Sequence, residues 1–137
     1  MNRKYTSYFS ILSLTLFITS LVLYCGCSSD NYEKKQLAKG ELFFDKNIPQ
    51  DKVESLASFI NQCAIFNDEV HKARLTKTDS SYELSLSVPP EMIKSEQYQN
   101  YTEILAIQLS DDVFDHTKLL IHLTDDKFNP KVTKTSK

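Results

Sequence analysis

The densest set of reactive groups in this chain is Asp111, Asp112, Asp115 and His116. An imidazole beside carboxylates is the pattern of a general base whose ring is oriented by an acid, here Asp115, and it would suit a small hydrolase. The three aspartates also supply oxygen ligands of the kind calcium takes. They lack the alternating ligand spacing and the turn glycine of an EF-hand loop. The bland reading, a solvated loop after a helix, is the stronger one. A concave pocket around His116 would favour catalysis, whereas a convex helix end would favour the loop. Asp125-Asp126 reads as a solvated strand end in the same way.

Thiols are the other candidate chemistry. Cys25 and Cys27 stand two apart in LVLYCGCSSD, and Cys63 stands alone. A zinc site would need a third and fourth ligand close by, and the next ones, Cys63 and His71, lie far along the chain within regular elements. No metal site is expected. Val53, Leu56, Ala57, Ile60, Cys63 and Ala64 follow helical spacing, so Cys63 reads as a small buried apolar residue rather than a reactive thiol.

The meaning of Cys25 and Cys27 comes from what precedes them. Arg3 and Lys4 are followed by FSILSLTLFITSLVLY over 9–24, which has no charge. A short basic start and an apolar run form an export signal. At roughly 16 residues the run falls short of the ~20 that span a bilayer. A single-pass anchor is the alternative. Gly26 before Cys27 is small, whereas Tyr24 before Cys25 is bulky. On these residues the start of the chain resembles a bacterial lipoprotein precursor. The resemblance implies cleavage before Cys27, lipidation of its thiol and attachment to a membrane of the cell envelope. If the host has two membranes, Ser28 implies the periplasmic side of the outer one. Tyr24, three before Cys27, departs from the small aliphatic residue of that pattern.

The division is then a signal over 1–26, a flexible tether over 27–39, a globular domain over 40–126 and a polar, frayed tail over 127–137. The formal charge is −2, and it becomes more negative once Arg3 and Lys4 are lost. An acidic domain has no electrostatic reason to bind nucleic acid. Gly40 is the one glycine beyond the signal, which excludes phosphate loops and nucleotide binding through them. No cofactor is expected.

The elements that must position any site read as follows. A short strand, 41–45, follows Gly40. Ile48-Pro49 opens a helix to about 65. Val70–Lys77 and Tyr82–Val88 flank a Thr-Asp-Ser-Ser turn, with Leu84, Leu86 and Val88 inward. A helix spans 95–109, capped by Ser95, with Tyr98, Tyr101, Ile104, Leu105 and Leu109 as its apolar stripe. A last strand, 118–124, turns Leu119, Ile121 and Leu123 inward. This order, βαββαβ, predicts an α+β ferredoxin-like fold: an antiparallel sheet with two helices on one face, after an N-terminal signal helix. On the helix, the lysine-bearing hairpin and the strand Leu120-Ile-His-Leu-Thr-Asp125, the domain loosely resembles uncharacterised bacterial domains of this pattern, which implies the fold and no activity. A ferredoxin-like metal carrier would place a thiol pair after its first strand; Asp45-Lys-Asn-Ile-Pro49 has none. His71 and His122 fall on opposite edges of such a sheet and cannot share a metal.

One face of the sheet is left without helices. It would carry Phe43, Lys72, Arg74, Glu83, Ser85, Ser87, Leu120 and His122. Glu83, Ser85 and Ser87 replace the aromatics that RNA-recognition modules stack on bases, so this face suits a protein partner. The functional expectation is a membrane-tethered, non-enzymatic envelope module that binds another envelope protein as an accessory subunit. The alternative is an inhibitor or immunity protein against a toxin.

Overall fold

The computed structural model describes residues 31–63 and 72–137. Cys27 and His71 lie outside them. The described chain forms β1 (Tyr32–Leu37), β2 (Gly40–Asp45), α1 (Gln50–Gln62), β3 (Lys72–Lys77), β4 (Ser81–Ser87), a short α2 (Pro90–Lys94), α3 (Glu96–Asp112), β5 (Lys118–Thr124) and β6 (Pro130–Thr135). None of these helices is long and apolar enough to cross a membrane.

The fold is α+β, with a six-stranded sheet in sequential order β1-β2-β3-β4-β5-β6. Three hairpin pairs are antiparallel, β1/β2, β3/β4 and β5/β6, and the two pairs joined through helices, β2/β3 and β4/β5, are parallel. The expected ferredoxin-like antiparallel sheet is therefore not what forms. In that fold each helical crossover skips a strand position, which another strand fills. Here each crossover lands on the adjacent strand. The register explains why the alternation allowed both: Leu42 faces Ala73, Leu75 faces Leu84, and Leu84 faces Ile121. Every strand keeps its apolar residues on one side in either order.

That side carries the core. Leu42, Ala73, Leu75, Leu119, Ile121 and Leu123 are fully covered and join Val53, Leu56 and Ile60 of α1 with Leu105 and Leu109 of α3 in one cluster. Each large aliphatic side chain so buried contributes about 1.5–3 kcal/mol. Phe114, just past α3, stacks on Tyr82 with 4.4 Å between centroids. The backbone then leaves it for β5 through a turn in which Asp115 and His116 hold φ of 51° and 62°.

Both expected termini of the domain move outward. The segment read as a tether contains β1, and the one read as a frayed tail contains β6, just past which Ser136 is buried and donates a backbone bond to Leu119. Both are edge strands rich in lysine, the composition that keeps an edge from pairing with other chains. Within α3, Ser95 caps as expected, its Oγ accepting from Tyr98 N at 3.3 Å. Its buried stripe is instead Thr102, Leu105, Ala106, Leu109 and Ser110. Tyr101 and Ile104 point outward, 43% and 54% exposed. Thr102 and Ser110 tolerate burial because each hydroxyl donates to a carbonyl, Tyr98 O and Thr117 O, at 2.8 Å. Cys63 is half-buried at the core margin, one residue past the end of α1, and burial raises its thiol pKa.

Candidate functional site

The helix-free side of the sheet brings the expected face residues together. The register runs one row across all six strands: Lys34, Phe43, Arg74, Ser85, His122 and Thr133 are successive partners. A neighbouring row contains Thr76, Glu83, Leu120 and Thr135, and the row on the other flank contains Glu41, Lys72, Ser87 and Thr124. Phe43, Lys72, Arg74, Glu83, Ser85, Ser87, Leu120 and His122 thus share one face, although the strand order that places them differs from the one expected.

Side chains on this face are tied to one another. His122 bonds through Nδ1 to Thr133 Oγ1 at 2.8 Å, and its Nε2 lies 3.5 Å from Glu83 Oε2. Lys34 pairs with Glu41 at 2.9 Å. The Arg74 guanidinium lies 4.7 Å from the Phe128 ring centre and 5.6 Å from that of Tyr32, and Phe128 meets Phe43 edge-on at 6.2 Å. A cation over ring faces gains attraction from the ring quadrupole. Arg74 Nε is buried and has no hydrogen-bond partner. An unpaired, desolvated donor is costly, and the attraction of the two rings for the guanidinium offsets part of that cost.

Sequence reasoning missed Phe128 and Tyr32. Phe128 comes from the β5–β6 turn and holds φ of 62°, unusual for a bulky residue. Asp125 imposes it. One carboxylate oxygen accepts the backbone N–H groups of Lys127 at 3.0 Å and Asn129 at 2.9 Å, the other accepts Asn129 Nδ2 at 3.0 Å, and Phe128 N donates to Asp125 O at 3.0 Å. These bonds, first those from Asn129, hold the Asp125 carboxyl down at about 2. The strand end expected to be idle is a clamp that aims Phe128 at Arg74. Its signal was readable in DDKFNP: an aspartate two and four residues before backbone donors, then Asn-Pro, is turn chemistry.

The candidate general base is arranged differently from expectation. His116 Nδ1 meets Asp111 Oδ1 at 2.8 Å, while Asp115 pairs with Lys52 at 2.6 Å, which raises the lysine pKa. The imidazole is 75% exposed in the turn that follows α3, and His116 does not line either cavity described among these residues. Among the described residues no group of three or more His, Cys, Asp or Glu side chains is placed to hold a metal ion.

The model of one family, described as the AF_1994_N family N-terminal domain, matches residues 34–136. The chain belongs to this family. The match runs from β1 to the residue after β6, so both edge strands fall within the family domain, in agreement with the sheet. No curated protein and no solved structure matches the chain.

Proposed function

We propose that the protein is a lipid-tethered module of the cell envelope that binds a partner protein through its helix-free sheet face. The observation that carries this reading is Arg74, a cation framed by Tyr32 and Phe128 on the helix-free face. Arginine and aromatic residues supply most hot spots of protein interfaces, and a guanidinium whose position is already fixed loses little freedom when a carbonyl or carboxylate docks on it. The family description, an N-terminal domain, supports a module that works beside other units.

The tether rests on the reading of residues 1–27 as an export signal ending at a lipidated cysteine. Because β1 begins at Tyr32, residues 28–31 alone separate Cys27 from the sheet, and fully extended they reach about 14 Å. A domain so attached works at the bilayer surface. Cys27→Ser should abolish fatty-acid labelling and release the protein from membranes while its melting temperature stays unchanged; label retained by the variant would overturn the tether. Crosslinked pull-down from membranes tests the face. Arg74→Gln should lose the captured protein while costing about 1 kcal/mol or less of stability, and equal capture by Arg74→Gln would refute the binding face.

A further inference from the structure

A cavity of about 580 Å³ opens where β4 and β5 end and the chain turns into α2. That volume lies within the range of sites that take small organic ligands. Its apolar lining, which forms the floor from buried Val88 outward, is Val88, Pro89, Ile93 and the exposed Pro90. The two prolines carry no backbone N–H, so this part of the wall offers no peptide donor and favours hydrocarbon. The charges stand on the rim: Lys72, Lys94, Lys131, Asp125 and Asp126.

These rim charges differ in availability. Lys131 lies 3.5 Å from Asp125, and Asp125 is already engaged by Lys127 and Asn129. That pair cancels within the rim. Lys72, Lys94 and Asp126 have no ion pair among the described residues. Two free ammonium groups against one free carboxylate leave a surplus of one positive charge above an apolar floor.

We propose that this cavity binds a small amphipathic monoanion, a hydrocarbon body bearing one carboxylate. The body lies on Val88, Pro89, Pro90 and Ile93, and the carboxylate meets the ammonium groups of Lys72 and Lys94. A second negative charge on the ligand would face Asp126 without a spare cation, and a cationic head would face two lysines. Charge-assisted bonds from the lysines replace the water that the carboxylate gives up, while the floor supplies affinity without direction. Lys72 belongs to the same sheet face as Arg74, but Lys94 and Ile93 stand outside it, and the Arg74→Gln arm of the test separates this site from the partner-binding reading.

The test uses the full chain in phosphatidylcholine nanodiscs, titrated calorimetrically with octanoate, octanol and octylammonium, with empty discs subtracted. Octanoate should bind about tenfold tighter than octanol, with octylammonium weakest. The double variant Lys72→Glu/Lys94→Glu, both positions exposed, should invert that order and favour octylammonium. Ile93→Ser should weaken octanoate and octanol alike. Equal binding of octanoate and octanol, no heat beyond empty discs, or an order unchanged by the double charge reversal would each overturn the proposal. Loss of octanoate binding with Arg74→Gln but not with the lysine reversals would place the anion on the sheet face instead, and overturn it as well.

Discussion

Leu84 and Ser85 are neighbours in β4, both buried, and they face opposite sides of one sheet. Leu84 lies between Leu75 and Ile121, in a row of aliphatic groups capped by helices; Ser85 lies between Arg74 and His122, in a row of charged and aromatic groups capped by a turn. Apolar burial on the first side is non-directional and scales with area. On the second side His122, Lys34 and Arg74 are each held by a specific partner at a specific distance. The comparison teaches where this molecule keeps its stability and where it keeps its chemistry: the helix side can be repacked by any apolar residues of similar volume, whereas the other side is defined by which residue meets which.

The sharpest way to break that division is to truncate the core. Leu84→Ala should cost about 2–5 kcal/mol, through lost transfer energy and the cavity left behind, read from chemical unfolding. A cost below about 1 kcal/mol, that of an ordinary surface change, would mean that the helix side does not dominate stability. A smaller effect is expected on the other side. Phe128→Ala removes a half-buried ring, its edge contact with Phe43 and its face contact with Arg74, together about 1–2 kcal/mol. The melting change should be matched by a shift of the Arg74 side-chain resonances, which lose the ring current of Phe128. A cost equal to that of Leu84→Ala would place the two sides of the sheet on the same footing.

The same contrast explains what the sequence disclosed. Tyr82, Leu84 and Leu86 alternate with Ser81, Glu83 and Ser85, and Leu119, Ile121 and Leu123 alternate with Leu120 and His122, because central strands that face helices on one side must read that way. Hence β3, β4 and β5 and the sharing of one face by Arg74, Ser85 and His122 were legible. The edge strands were not. In β1 Leu37 is the one buried residue, and in β6 Lys134, on the helix side, replaces an apolar residue and reaches Glu103 of α3 at 3.4 Å. An edge guarded by lysines looks like a linker. Strand order was also out of reach, since inward alternation fits adjacent and skipping crossovers equally well. In α3 both Tyr101/Ile104 and Leu105/Leu109 obey helical spacing, and the sheet chose the second set. Phe128 was hidden because its role depends on a backbone turn rather than on a period.

The smallest expected effect isolates that turn. Asp125 titrates at about 2 in the folded protein against an ordinary 3.8, held down first by Asn129 and then by backbone donors. A carboxyl with a lowered folded pKa contributes stability that is complete above its unfolded pKa and is lost as pH falls through the folded one. The contribution should therefore be constant above about pH 5 and disappear between about 4 and 2. Asp125→Asn keeps an acceptor oxygen for the turn but cannot titrate. Melting temperatures of the two proteins should differ by a fixed amount at neutral pH and converge in that acid window. The clamp also predicts what moves with it: as Asp125 protonates, Phe128 loses the bonds that hold its left-handed backbone, and its contact with Arg74 should weaken over the same pH range in the wild type and not in the variant. A difference between the two proteins that stays constant down to pH 2 would show that Asp125 does not hold the turn as an anion, and that the ring over Arg74 is placed by packing alone. In that case the two sides of the sheet would be built by the same undirected force.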